Sequence, residues 1–122
     1  MIHIEKYTTS AGRIIYRYPV TVFAEFIAYI HVISDGQHLF LVDSGSGFGE
    51  SNEQLTAGLE AIQAQHNETI SWDDIDAVLM THAHIDHFGG LPFVRQHTDA
   101  PIGIHQLDVR VVSHYEERRT VA

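Results

Sequence analysis

A chain of 122 residues, 44% apolar and 19% charged, has material for one small globular domain with one modest core, and is too apolar for a disordered segment. Its formal charge of −9, with only seven Lys and Arg residues, argues against a sequence-independent grip on nucleic acid, which needs cations to neutralise phosphates. There is no cysteine, which excludes disulfides, thiolate ligands and a cysteine nucleophile.

In chain order, the opening Met1-Ile2-His3-Ile4-Glu5-Lys6 lacks the basic head and apolar core of a signal peptide. Residues 2–8 read as a strand, and Ser10-Ala11-Gly12 as a turn. Residues 13–18 are β-branched and aromatic, and Pro19 is expected to break them. Residues 20–33, the most apolar stretch, favour one bent strand or two short ones over a helix. They are too few to span a bilayer and include Glu25 and His31. A soluble, cytoplasmic protein is therefore expected. Ser34-Asp35-Gly36-Gln37 is a hairpin turn, its Asp-Gly pair supplying the positive φ angles such turns need. Residues 38–42 pair back, so the first third is an antiparallel meander.

At Asp43 the chain enters DSGSGFG. This loop lacks the full G-x-G-x-x-G spacing and a P-loop lysine, so a turn that lets backbone approach a site fits better than nucleotide binding. Ser51 and Gln54 have capping-box spacing, and a helix is expected to about Gln65. Leu55, Leu59 and Ile62 form its apolar face, with Glu53, Glu60 and Gln63 turned to water. Residues 70–75 connect onward; Asp73, Asp74 and Asp76 read as a solvated turn and a cap rather than a cation site. Residues 77–80 read as a buried strand. Residues 91–96 form a short helix with Pro92 in its first turn. Residues 101–104 form a strand, and residues 106–119 an amphipathic helix with Leu107 and Val111 inward.

The chemistry concentrates in residues 81–90, THAHIDHFGG. His82, His84, Asp86 and His87 are four potential metal ligands within six positions. On a helix His82 and His84 would point about 200° apart, whereas an extended segment followed by a tight turn brings such residues together. Gly89-Gly90 permits that turn. Imidazoles with a carboxylate suit zinc, with iron or manganese as alternatives. His3, His31, His38, His66 and His97 are scattered and read as half-exposed structural residues. His105 is left out of the ligand set, and His114 is held as a reserve ligand.

This stretch closely resembles the metal-binding motif of the metallo-β-lactamase superfamily. The resemblance implies that His82 and His84 bind one metal and that Asp86 and His87 bind a second, so that the intact protein holds two zinc ions. It implies that Asp43, an aspartate at a strand end followed by a glycine-rich loop, buttresses the histidine loop without touching metal. The implied fold class is α+β, an αβ/βα sandwich, of which residues 1–122 make the first, N-terminal half. The implied chemistry is hydrolysis of an ester, thioester, lactone or lactam bond by metal-activated water, with Asp86 also steering the water or carrying a proton. A small-molecule substrate is expected, with neither nucleic acid nor membrane as partner.

The chain departs from the family pattern at its far end. The family completes its metal shells with a third histidine, a bridging aspartate and a last histidine, which this sequence does not supply. The expectation is a fragment, or a chain completed by a separate half, with an uncovered sheet face that makes it associate with that half or with itself. Alone it would be weakly active or inactive. A mononuclear iron sulfur dioxygenase, or an inactive assembly fragment, is the alternative. His84 argues against the flavodiiron branch, which normally has glutamate there.

Overall fold

A computed structural model of the chain describes residues 2–81 and 88–104. A six-stranded sheet carries the strands in sequence order: β1 (Glu5–Thr8), β2 (Ile14–Phe23), β3 (Phe26–Ser34), β4 (Leu39–Val42), β5 (Ala77–Leu79) and β6 (Ile102–Gly103). β1 to β4 pair antiparallel, which is the meander expected from the sequence. β4 with β5, and β5 with β6, pair parallel. Parallel neighbours need a crossover connection. Helix α1 (Ser51–His66) lies in the first crossover and helix α2 (Leu91–His97) in the second. No helix among the described residues is long and apolar enough to cross a membrane.

Alternation divides the strands between two faces. Tyr16, Tyr18, Val20 and Val22 of β2 are buried, as are Ala28, Ile30 and Val32 of β3, Leu39 and Leu41 of β4, and Val78 of β5. The same core takes in Leu55, Leu59 and Ile62, the apolar stripe of α1 read from the sequence. Each fully buried aliphatic side chain contributes about 2 kcal/mol, so this stripe is the main hold of α1 on the sheet. The contact is close at Gly58, where a Cβ would stand 2.0 Å from a Tyr18 ring carbon. The Tyr18 hydroxyl donates to the Leu55 carbonyl at 2.8 Å, and burial pushes its pKa far up, keeping it a neutral donor.

The opposite face is open. Tyr7, Ile27, Tyr29 and Leu79, all on that side of the pleat, are exposed by 50%, 57%, 42% and 38%. Arg17 crosses it, its guanidinium 3.9 Å from the centre of the Tyr29 ring and its Nε 3.4 Å from a Glu5 carboxylate oxygen. Such solvent-exposed contacts are screened by water and add little to stability.

Four local expectations are corrected. Pro19 does not break its strand: β2 runs on to Phe23, with Pro19 opposite Tyr29. The last β1 partner of β2 is Arg17, so at Pro19 the strand has a neighbour on one side only, and a missing N–H is tolerated there. Residues 20–33 are strand in two segments rather than helix, as expected, but those segments belong to longer strands than the two short ones read from the sequence. They close β2 and fill β3 around a tight turn at Ala24 (φ 43°), a residue with no turn signature. Ser51 and Gln54 make no capping box, since α1 begins after Glu50 with no side-chain cap bond. Finally, residues 77–80 are not uniformly buried: Val78 and Met80 are, whereas Leu79 lies on the open face.

Candidate functional site

The site is built where two parallel strands end side by side. Val42, the last residue of β4, pairs with Leu79, the last of β5, so both chains leave the sheet at the same edge. Ligand-binding crevices of parallel sheets form beyond such carboxyl ends. Asp43 is the first residue out. Its N–H donates to the Leu79 carbonyl at 2.8 Å, which continues the ladder one step. Its backbone is left-handed at φ 68°, costing about 1 kcal/mol for a residue with a Cβ.

That conformation turns a buried carboxylate, 3% exposed, toward the neighbouring loop. Asp43 Oδ1 accepts the Thr81 N–H at 2.9 Å, and Oδ2 accepts the Thr81 hydroxyl at 2.8 Å. Hydrogen bonds to a charged acceptor contribute about 1.5–3 kcal/mol each, enough to offset the backbone cost. Thr81 immediately precedes His82.

The glycine-rich loop grips the other end of the motif. The Gly45 carbonyl accepts the Gly90 N–H at 3.1 Å. A Cβ on Gly90 would lie 2.1 Å from the Ser44 carbonyl oxygen, and one on Gly47 would lie 2.4 Å from that of Gly89. Two backbones therefore touch where no side chain fits. Behind them Ser44, Ser46 and Ser51 are fully buried. Ser46 donates its hydroxyl to the Val22 carbonyl at 2.6 Å and its N–H to Ser51 Oγ at 3.1 Å. This is where the expected cap has gone. Ser51 holds the loop, while Gln54 Oε1 accepts the Thr21 N–H at 2.5 Å and ties α1 to β2. On the far side of the motif, Phe88, Leu91 and Val94 are buried and anchor the start of α2.

His82, His84, Asp86 and His87 lie outside the described residues, as do His105, His114 and the helix expected over residues 106–119. What is described is their frame. Asp43 and Gly45, two residues apart, hold Thr81 and Gly90, the residues that bracket the motif. Among the described residues no group of three or more His, Asp or Glu is placed to hold a metal. Asp76 accepts the Leu39 N–H at 2.8 Å and Asp74 the Ser71 hydroxyl at 2.9 Å, in keeping with a turn and a cap. His97 stacks on Trp72, His66 lies against Tyr16, and His38 Nδ1 sits 3.6 Å from Asp76. His31 faces the open side, and burial lowers its pKa below the ordinary imidazole value.

Beside the glycine loop is a cavity of about 580 Å³, lined mainly by Val22, Phe23 and Ala24 from the β2–β3 hairpin and by Phe48, Gly49 and Glu50. Sequence reasoning found no substrate pocket. The roles of Thr81 and Ser46 had no sequence signal beyond their place next to the two loops, and Ser51, expected as half of a capping box, holds the loop instead.

The model of the metallo-beta-lactamase superfamily matches residues 24–121, a span that includes both loops and both ends of the motif. The chain belongs to the metallo-beta-lactamase superfamily. Solved structures carry the same fold. A metallo-beta-lactamase of Cronobacter sakazakii described by a HARLDQ motif is 16% identical, with a TM-score of 0.59 over 79% of this chain and 30% of that one. A metallo-beta-lactamase of Hirschia baltica is 17% identical, with a TM-score of 0.59 over 93% and 48%. A flavo di-iron protein variant from Thermotoga maritima is 12% identical, with a TM-score of 0.68 over 94% and 30%. No curated protein matches the chain. This superfamily member thus spans between about a third and a half of the length of those solved structures. Its α+β sheet with crossover helices has the metallo-beta-lactamase fold class expected from the sequence.

Proposed function

We propose that the chain carries one wall of a metal-dependent hydrolase site, with His82 and His84 as ligands of one divalent cation and Asp86 and His87 as ligands of a second. One observation carries the reading: Asp43 and Gly45 clamp the residues on either side of the motif, through Thr81 and Gly90. A ligand loop must be held in place before an ion arrives, and buried carboxylates behind such loops set ligand orientation. The donor set, three imidazoles and a carboxylate with no thiolate, suits zinc. The Cronobacter neighbour's hexapeptide is HARLDQ, whereas this chain has HAHIDH, with histidine at its third and sixth positions.

A cation held there supplies Lewis acidity and lowers the pKa of water to about 7. The chain's own residues do the rest. The four motif side chains hold the charge, and Asp43 fixes Thr81 so that His82 starts from one place. Asp86 steers a water molecule or takes its proton. The substrate is a small molecule with an ester, thioester, lactone or lactam bond. Further ligands, from a second half of the fold or a partner chain, complete the shells, and the open sheet face with Ile27, Tyr29 and Leu79 receives that half.

Zinc titration by calorimetry, followed by elemental analysis, tests the reading. Wild-type protein is expected to bind zinc, and His82→Ala with His84→Ala to weaken binding at least tenfold. Turnover of thioester, lactone and phosphodiester panels is expected to depend on added metal and to be low for the isolated chain. Zinc uptake indifferent to replacement of all four motif residues would sink the proposal. Preferential iron with persulfide oxidation would move it to the dioxygenase alternative.

A further inference from the structure

The segment that carries the motif is closed a second time, away from the glycine loop. Asp43 and Gly45 hold its inner ends, Thr81 and Gly90. Its outer ends hold each other. Trp72, in the single 3-10 turn Trp72–Asp74 ahead of β5, stacks on His97, the last residue of α2, with ring centres 5.4 Å apart and planes at 21°. Phe93, one turn back along α2, meets the Trp72 ring edge-on at 6.0 Å and 78°, and lies 4.5 Å from the His97 ring. Residues at i and i+4 share a helix face, so Phe93 and His97 make one aromatic stripe that seats on Trp72.

This contact does more than fill space. α2 has seven residues, too few to hold itself together, so tertiary contacts decide its direction. Leu91 and Val94 bury one side of it in the core, and the aromatic stripe adds a second line of contact that stops rotation about the first. Among the described residues the buried Trp72 Nε1–H has no hydrogen-bond partner, whereas a buried indole normally finds one. The ring is therefore placed by its face and edge, not by its polar end. Beyond His97 the chain turns away at once, because Arg95 Nη1 donates to the Thr98 and Ala100 carbonyls at 3.2 and 3.0 Å.

From this we infer that Trp72 and His97 are positioning residues for the metal motif: their stack, braced by Phe93, sets the pitch of α2 and so the direction in which the chain leaves the motif. The inference rests on the metal-site reading and adds two residues that act through the backbone. The path is short. β5 leads from the Trp72 turn to Thr81, and α2 leads from Gly90 to His97, so opening the stack loosens both flanks of the motif at once. Such coupling is reciprocal: whatever the stack adds to metal affinity, the metal adds to the stack.

Trp72 is the sole tryptophan of the chain, so acrylamide quenching of its emission reports on the stack directly. Zinc alone is titrated into wild-type, His97→Ala and His97→Phe protein, with binding followed by calorimetry. His97 is exposed, so replacing it leaves the core intact. His97→Ala is expected to weaken zinc binding about threefold to tenfold, and His97→Phe, which restores a ring, to return it to within about twofold of wild type. In wild type, zinc saturation is expected to slow the quenching of Trp72 by roughly a third, following the calorimetric curve, and in His97→Ala to leave it unchanged. Ile62→Val, in the core stripe of α1, lowers stability without touching the stack and is expected to bind zinc as wild type does. Equal zinc affinity in wild type and His97→Ala, a His97→Phe variant no better than His97→Ala, or quenching blind to bound zinc would overturn the positioning role and leave the metal site standing. A wild type that binds no zinc would remove site and role together.

Discussion

Glycine-bearing loops turn the chain at both ends of the sheet, but for opposite reasons. At the β3–β4 hairpin, Gly36 sits at φ 94° with nothing within 4 Å of where a Cβ would be. It is there for its dihedral angle alone. The turn is otherwise closed by its own residues: Asp35 Oδ1 accepts the N–H of Gln37 at 2.9 Å and of His38 at 2.6 Å. Those two donors hold the Asp35 carboxyl below its usual range. At the β4–β5 end, Gly90 has an ordinary helical φ of −83° and is there for space, because the Ser44 carbonyl occupies the position of its Cβ. One loop is a local solution, legible in four residues. The other is a contact between segments some 45 residues apart, and it frames the candidate site.

The contrast is open to direct attack, and the largest effect is expected where backbone meets backbone. Gly90→Ala must push the two site loops apart, since a carbonyl cannot rotate away as a side chain can. A loss of about 3 kcal/mol is expected in urea unfolding, together with weakened zinc uptake. Wild-type stability in that variant would show that the loops are not clamped. Next comes Asp43→Asn, which keeps the shape but replaces charge-assisted bonds to Thr81 with neutral ones. Here about 2 kcal/mol should go, and zinc affinity should fall about 10-fold to 100-fold. An unchanged zinc affinity would leave Asp43 as a fold residue only. Smallest is Gly36→Ala, which meets no atom and is penalised by its dihedral alone, by about 1 kcal/mol. Metal uptake should not move at all, and if it does, the two ends of the sheet are coupled.

Much of the frame was legible before any coordinates. Asp35-Gly36 announced its hairpin, Leu55, Leu59 and Ile62 announced the buried face of α1, and the spacing of His82, His84, Asp86 and His87 announced the candidate ligands. Each is a signal carried within a few residues of itself. The misreadings share the opposite property. Pro19 is harmless only because β1 stops pairing at Arg17. Ser51 looks like a cap until Ser46 arrives to use its hydroxyl. Ala24 turns a hairpin without turn chemistry, because the flanking strands are long enough to impose it.

By itself the sequence determined the alternation of the strands, the stripe of α1 and the identity of the candidate ligands, since period and side-chain chemistry are local properties. Only the tertiary structure decided that Asp43 and Gly45 hold Thr81 and Gly90, that the Phe23–Phe48 cavity lies beside them, and which sheet face is left open. Those depend on which distant segments meet at the ends of parallel strands, and adjacency across a crossover leaves no periodic trace in the chain.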